Sequence, residues 1–286
     1  MSETGQIVEK LNVIDDILFQ KMAEDVGFCE EMISTILDQK VKVLEVIPQS
    51  SIKNLQGRSV VLDVLCLLED GRKCNVEVHK KDDDNHVKRV RYITSCITAN
   101  ITEAGSKFEK VPNVIGIFIS KFDMFGAGKT IYHIKRVISE TGENQDNGLQ
   151  EIYVNAKIDD GSDVAELMKI FMYQEVYDFK KFPKTSSRKR QFLKSKGGKQ
   201  GMCELVDNYA KRYSKENEIR KAKEAIVKLF EMGVTFEIIK ASFDSLSEDE
   251  IKGIYERYYV GKHKTLEERS AEFGGALNLD GEFDWD

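Results

Sequence analysis

The stretch SVVLDVLCLLEDGRKCNVEVHK, Ser59 to Lys80, constrains this chain more than any other. Two apolar, β-branched runs flank a short turn that ends in glycine, the pattern of an antiparallel hairpin. Loop length sets the register, and register decides which side chains share a face. A two-residue loop at Asp70-Gly71 would oppose Asp63 to Val78 and send Asp63 and Glu77 to opposite faces. A three-residue loop, Glu69-Asp70-Gly71, places Gly71 at the left-handed position of a type I turn with a G1 bulge. Asp63 then faces Glu77, Leu65 faces Asn75, and Val61 faces His79. The other side pairs Leu62 with Val78, Val64 with Val76, and Cys66 with Cys74. We prefer this register because it makes one face apolar and gathers Asp63, Asn75, Glu77 and His79 on the other.

Two carboxylates directly opposite each other repel when both are ionised. A divalent cation removes that cost, and hard oxygen ligands with open water positions suit Mg²⁺ or Mn²⁺. Such an ion would polarise a phosphodiester and lower the pKa of an attacking water. His79 or Lys80 could orient the water or offset charge on the phosphate. The plainer alternative is a wet sheet face carrying two solvated acids, and the hairpin alone favours it.

Around the hairpin the chain reads as α/β. Ile14 to Leu37 carries apolar residues at helical spacing, with a break expected at Gly27 and with Asp15 and Asp16 where N-caps belong. Val41 to Ile47 is a short extended segment stopped by Pro48. HVKRVRYITSCITANITEAG reads as an amphipathic helix. Its Lys88, Arg89 and Arg91 could meet DNA phosphates or form a solvated face, while Tyr92 reads as half-buried packing with a polar tip. NVIGIFISKFD is a buried strand, TIYHIKRVIS and LQEIYVNAK are further strands, and DVAELMKIFMYQE returns to helical spacing.

FDMFGAGKT resembles a phosphate-binding loop, but the required first glycine is Asp123, and a strand rather than a helix follows. No nucleotide cofactor is expected. His86, His133 and His263 are isolated in sequence and receive no metal. The five cysteines lack CxxC spacing, which argues against a disulfide framework or a zinc site and for a reducing compartment. The opening MSETGQIVEK has no apolar signal core, and no run is long enough to span a membrane. A cytoplasmic location is the expectation. A net charge of −6 requires any nucleic-acid contact to be local. The basic Lys181–Lys199 stretch could supply it or be a solvated linker.

At this point the residues match a known group. IKNLQGRSVVLDVLCLLEDGRKCNVEV followed by VKRVRYITS resembles the PD-(D/E)XK nuclease family transposases, which include recombination-promoting nucleases. The resemblance extends upstream to DDILFQKM and downstream to VPNVIGIFISKFDMFGAGKTIYHI and IYVN, roughly Ile14 to Phe171. It implies a restriction-endonuclease-like core, a mixed β-sheet flanked by helices, and Mg²⁺-dependent cleavage of DNA. Asp63 and Glu77 match the family's metal carboxylates, with Asp16 at the opening acid as a secondary candidate. The residue two after the second acid is usually Gln in this subgroup and Lys in the wider motif, and here it is His79. Gln20 stands where the opening motif usually has Lys.

The expected organisation is a nuclease-like domain over residues 1–180, a basic linker at 181–200, a helical C-terminal region at 201–275 and an acidic tail at 276–286. The C-terminal helices have the cadence of a helix-turn-helix without a basic recognition helix, so protein interaction or homo-oligomerisation is at least as good a reading. The expected activity is that of a Mg²⁺-dependent DNA endonuclease, in recombination, mobile-element or defence roles. Asp63, Glu77, His79 and Lys80 are the expected catalytic residues. The alternative is a nuclease fold with lapsed catalysis that binds DNA or protein.

Overall fold

A computed structural model describes residues 3–52 and 59–263. The acidic tail 276–286 lies outside them, as does the approach to the hairpin at 53–58. The chain divides into two compact units, 1–207 and 208–286.

The first unit opens with helices α1 (Glu3–Val8), α2 (Asp16–Met22) and α3 (Val26–Ile36). Strands β1 (Val43–Pro48), β2 (Ser51–Ile52), β3 (Val60–Val61), β4 (Val64–Leu68) and β5 (Lys73–His79) follow, then helix α4 (His86–Ile101). Strands β6 (Val114–Ser120), β7 (Ile131–Ile134) and β8 (Leu149–Asn155) precede helices α5 (Asp163–Met172) and α6 (Pro183–Lys194). Helix α7 (Lys196–Glu231) begins in this unit and ends in the second. The six-stranded sheet has the order β1-β4-β5-β6-β8-β7, and β2 pairs with β3 in a separate ribbon. β5, β6 and β8 run parallel and the outer pairings are antiparallel, so the sheet is mixed. Helices lie against it, as a restriction-endonuclease-like core requires.

Both faces of the sheet are covered. Val64, Cys66, Cys74, Val76, Val78 and the odd-numbered isoleucines of β6 join one large apolar core with residues of α2, α3, α5 and α6. On the opposite face α4 supplies Ile93, Cys96 and Ile97 against Leu62, Leu65 and Val114, and Val90 against Phe118 and Tyr153. Burial on two sides explains why NVIGIFISKFD lacks alternation. α4 can lie this close because residue 116 is glycine: a Cβ there would stand 2.9 Å from Thr94 Cγ2 and 3.4 Å from Val90 Cγ1.

Two local expectations change. The break between α2 and α3 falls at Ala23–Asp25, and Gly27 lies inside the first turn of α3. Asp25 sets the boundary, because its carboxylate accepts the Phe28 amide at 2.8 Å. The expected linker forms helix α6, with Thr185, Lys189, Phe192 and Leu193 turned inward. Three of its cations serve the fold. The buried Lys189 ammonium donates to the carbonyls of Ile170, Tyr173 and Val176 at the end of α5. Arg188 donates to the carbonyls of Lys21 and Met22, and Lys194 pairs with Glu175.

The second unit contains the rest of α7, then α8 (Phe236–Ser242) and α9 (Glu248–His263). Ile226, Phe230, Ile239, Leu246, Ile251 and Ile254 form its core. Among the described residues no helix is long and apolar enough to cross a membrane.

The close approach of α4 gives a direct test. Gly116→Val should destabilise the protein by about 1–3 kcal/mol through overpacking, read as a lower denaturation midpoint. An unchanged midpoint would mean that α4 does not rest on residue 116.

Candidate active site

The hairpin adopts the three-residue loop. Gly71 has φ +89°, its amide donates to the Leu68 carbonyl at 3.0 Å, and Val64, Leu65, Cys66 and Leu67 oppose Val76, Asn75, Cys74 and Lys73. The ladder ends at Val64. Val61 pairs with Ser51 in the small ribbon rather than with His79, and the Leu62 amide turns to the Ser50 carbonyl. Asp63 therefore sits at a bend, not within a strand.

That bend brings the acids together crosswise. The Asp63 amide donates to Glu77 Oε1 at 3.1 Å, and the Val78 amide donates to Asp63 Oδ2 at 3.0 Å. Asn75 Nδ2 also donates to Glu77 Oε1, at 3.2 Å. Each carboxylate is thus aimed by the backbone of the segment that carries the other. Glu77 is 1% exposed and Asn75 2%, so this is not a wet sheet face. Burial, then the neighbouring Glu77 charge, pushes the Asp63 carboxyl well above its ordinary range. Burial raises Glu77 as well.

α2 and α4 close the site from two sides. Gln20 hydrogen-bonds Asp63 and accepts from Gln49 Nε2 at 2.6 Å. The Asp16 charge acts on Asp63, and burial raises Asp16 itself against the lowering effect of Lys80. Lys80, just past the end of β5, donates to Asp15 Oδ1 at 2.8 Å. Arg89 Nη2 of α4 lies 3.6 Å from Glu77 Oε2. Lys88 and Arg91 are exposed. Lys88 and Arg89 line a common groove with Tyr92, and Arg91 is not part of its wall.

His79 Nε2 lies 4.0 Å from Glu77 Oε2. Its ring stacks on Phe118 with centroids 4.7 Å apart, and 5.2 Å away is His86. Burial first, then Arg89 and His86, pushes the His79 pKa down to about 4, so the imidazole is neutral near pH 7. Sequence spacing left His86 isolated, yet the turn from β5 into α4 places it beside His79. Gln20 and Arg89 likewise belong to the acidic cluster. The helical spacing of Asp16 and Gln20 on α2 could have signalled the first, but nothing in sequence distinguished Arg89 from its basic neighbours.

The residues present fit a hard cation. Glu77 Oε1 receives two donors, whereas the buried Oε2 meets only Arg89 Nη2, at 3.6 Å. Among the described residues no three His, Cys, Asp or Glu side chains are gathered as metal ligands. A cation here would rest on two carboxylates and water, a coordination that hard ions accept. The glycine-rich loop differs. The amides of Phe125, Gly126 and Gly128 donate to the Asp123 carboxylate, so donors that could hold a phosphate hold an internal anion instead.

A family model described as PD-(D/E)XK nuclease family transposase matches residues 24–196, more than half of the chain. No curated protein and no solved structure matches.

Asp63 and Glu77 hold protons more tightly in the native state than in the unfolded chain. Without metal, the native state then binds more protons, and their contribution to stability falls as pH rises from about 4 through the raised values. Asp63→Asn removes the Asp63 part of this penalty. Thermal melts in chelator should show the variant more stable than the parent at pH 8, with the difference vanishing near pH 4. A variant less stable at pH 8 would contradict the buried-charge reading.

Proposed function

The chain belongs to the PD-(D/E)XK nuclease family transposases, and on that premise we propose that it is a metal-dependent endonuclease that hydrolyses phosphodiester bonds of DNA. The observation that carries this reading is the buried Asp63–Glu77 pair, cross-bonded through the backbone, with Glu77 Oε2 facing only the Arg89 guanidinium at 3.6 Å. Leaving such an acceptor buried costs about 1–3 kcal/mol. A cation at that oxygen offsets the cost and relieves the repulsion from Glu77 that, after burial, raises Asp63.

Asp63 and Glu77 would hold Mg²⁺ or Mn²⁺, which would supply Lewis-acid polarisation of the phosphate and lower the pKa of a water. The protein's own groups prepare the site. Asn75 and the Asp63 amide fix Glu77, and Gln20 and the Val78 amide fix Asp63. Neutral His79 has an unpartnered Nε2 beside Glu77 Oε2, close enough for one water to bridge them, so it orients the attacking water by a hydrogen bond and contributes no charge. Lys80 acts at one remove, through Asp15 and Asp16. Asp16 shapes the field at Asp63 and is a secondary candidate ligand. Lys88, Arg89 and Arg91 on α4 supply phosphate contacts that the net charge of −6 cannot supply globally. The protein acts in the cytoplasm on DNA, in recombination, mobile-element or defence processes.

A second reading has its own support. With His79 neutral and Gln20 in place of Lys, neither of these two motif positions supplies an ammonium. That favours a nuclease fold kept for binding DNA or protein after catalysis has lapsed.

Asp63→Ala should reduce Mg²⁺-dependent nicking of supercoiled plasmid to background, and full activity in the variant would sink the assignment. Because burial pushes the His79 pKa down to about 4, the wild-type rate should show no inflection between about pH 6 and 7, where an ordinary histidine ionises. An inflection there that His79→Gln removes would show that the charged imidazole takes part. A parent that binds DNA in a gel shift but never nicks it, with His79→Lys cutting, would select the second reading.

A further inference from the structure

Arg89 occupies an unusual position. Its Nη2 is 3.6 Å from Glu77 Oε2, longer than a proper hydrogen bond. Glu77 Oε2 and Arg89 Nε both lack hydrogen-bond partners although both are buried. The guanidinium charge also acts on Asp16 and His79. Arg89 therefore lies where the cluster needs a positive charge, held to Glu77 only through one long contact of Nη2. Its side chain remains 35% exposed, against 2% for Glu77, so it has a way out. That way leads into a groove of about 610 Å³ between α4 and β3, whose wall includes Lys88, Asn85, Tyr92 and Val61.

We propose that Arg89 is the site's own counterion in the metal-free protein, and that a divalent cation at Glu77 releases it into this groove to bind, with Lys88, the DNA phosphate beside the cleaved bond. The proposal rests on the metal reading of Asp63 and Glu77 given above. Two cations cannot share one carboxylate oxygen without repulsion, so metal and guanidinium compete for Oε2. A guanidinium that loses its carboxylate has a ready second partner in phosphate, which its planar fork also matches. Metal binding and DNA binding are then coupled through one side chain. Linkage makes the coupling reciprocal: metal tightens DNA by the same factor by which DNA tightens metal.

The test is Mn²⁺ affinity without DNA, read from the loss of the free-ion electron paramagnetic resonance signal. Wild type, R89M, R89Q, R89K and D63N are compared, with thermal melts to verify folding. R89M and R89Q should bind Mn²⁺ several-fold more tightly than wild type, R89K should stay near wild type, and D63N should bind least. Affinity for a short duplex, measured in Ca²⁺ under conditions where no product forms, should rise several-fold with the ion in wild type and hardly at all in R89M. Unchanged or weaker Mn²⁺ binding in both neutral variants, with wild type binding and D63N not, overturns the counterion role and leaves the metal site standing. Failure of wild type itself to bind Mn²⁺ overturns both. A residue that merely held phosphate would lower duplex affinity in R89M without moving the Mn²⁺ affinity.

Discussion

Two carboxylates that ought to repel are held together out of water, and the rest of the first unit is arranged around that fact. Asp63 and Glu77 each accept an amide from the segment that carries the other. The backbone supplies enough positive dipole to aim them but not enough to neutralise them. Burial and the Glu77 charge raise the proton affinity of Asp63, and one oxygen of Glu77 meets only Arg89, at 3.6 Å. A fold that tolerates such a pair carries a local deficit of positive charge, and strain of this kind concentrates at sites where something binds.

The fold supplies the means of keeping the pair dry. The glycine turn sets the hairpin register, so Asn75 and Glu77 point to one face of β5 while Cys74, Val76 and Val78 anchor the other face in the main core. α4 closes over the polar face because Gly116 lets it approach, and it brings Arg89 and His86 with it. α2, packed in the main core on the face opposite α4, delivers Asp16 and Gln20. The site lies toward the carboxyl ends of the parallel strands, where open α/β sheets bind their ligands. The imidazole of His79 stacks on Phe118 and remains neutral, so positive charge at the acids must come from Arg89, Lys80 or a metal ion.

Much of this was legible in the residues, for reasons that can be named. Period-two alternation around Glu69-Asp70-Gly71 allowed only one register that sorts polar from apolar, and that is the register observed from Val64 to Leu67. What it did not convey was the bend at Asp63, because a strand break driven by tertiary hydrogen bonds leaves no mark in alternation. The basic stretch near residue 185 looked like a linker because charge masked its stripe. Thr185, Lys189, Phe192 and Leu193 recur at helical spacing, but Lys189 counts as inward-facing only when three distant carbonyls receive its ammonium. Arg89 and His86 were unreadable for the same reason: their partners lie on a strand, and only the packing of α4 brings the two together.

The central claim is that Asp63 and Glu77 form a cation site. The most direct measurement is a Mn²⁺-soaked crystal with diffraction recorded at the manganese absorption edge. The account predicts an anomalous peak within bonding distance of both carboxylates, at about 2.0–2.2 Å for hard oxygen ligands, and its loss when Asp63 is replaced by Asn. Saturating Mn²⁺ with no peak at these oxygens, or a peak that persists without the Asp63 carboxylate, would contradict it.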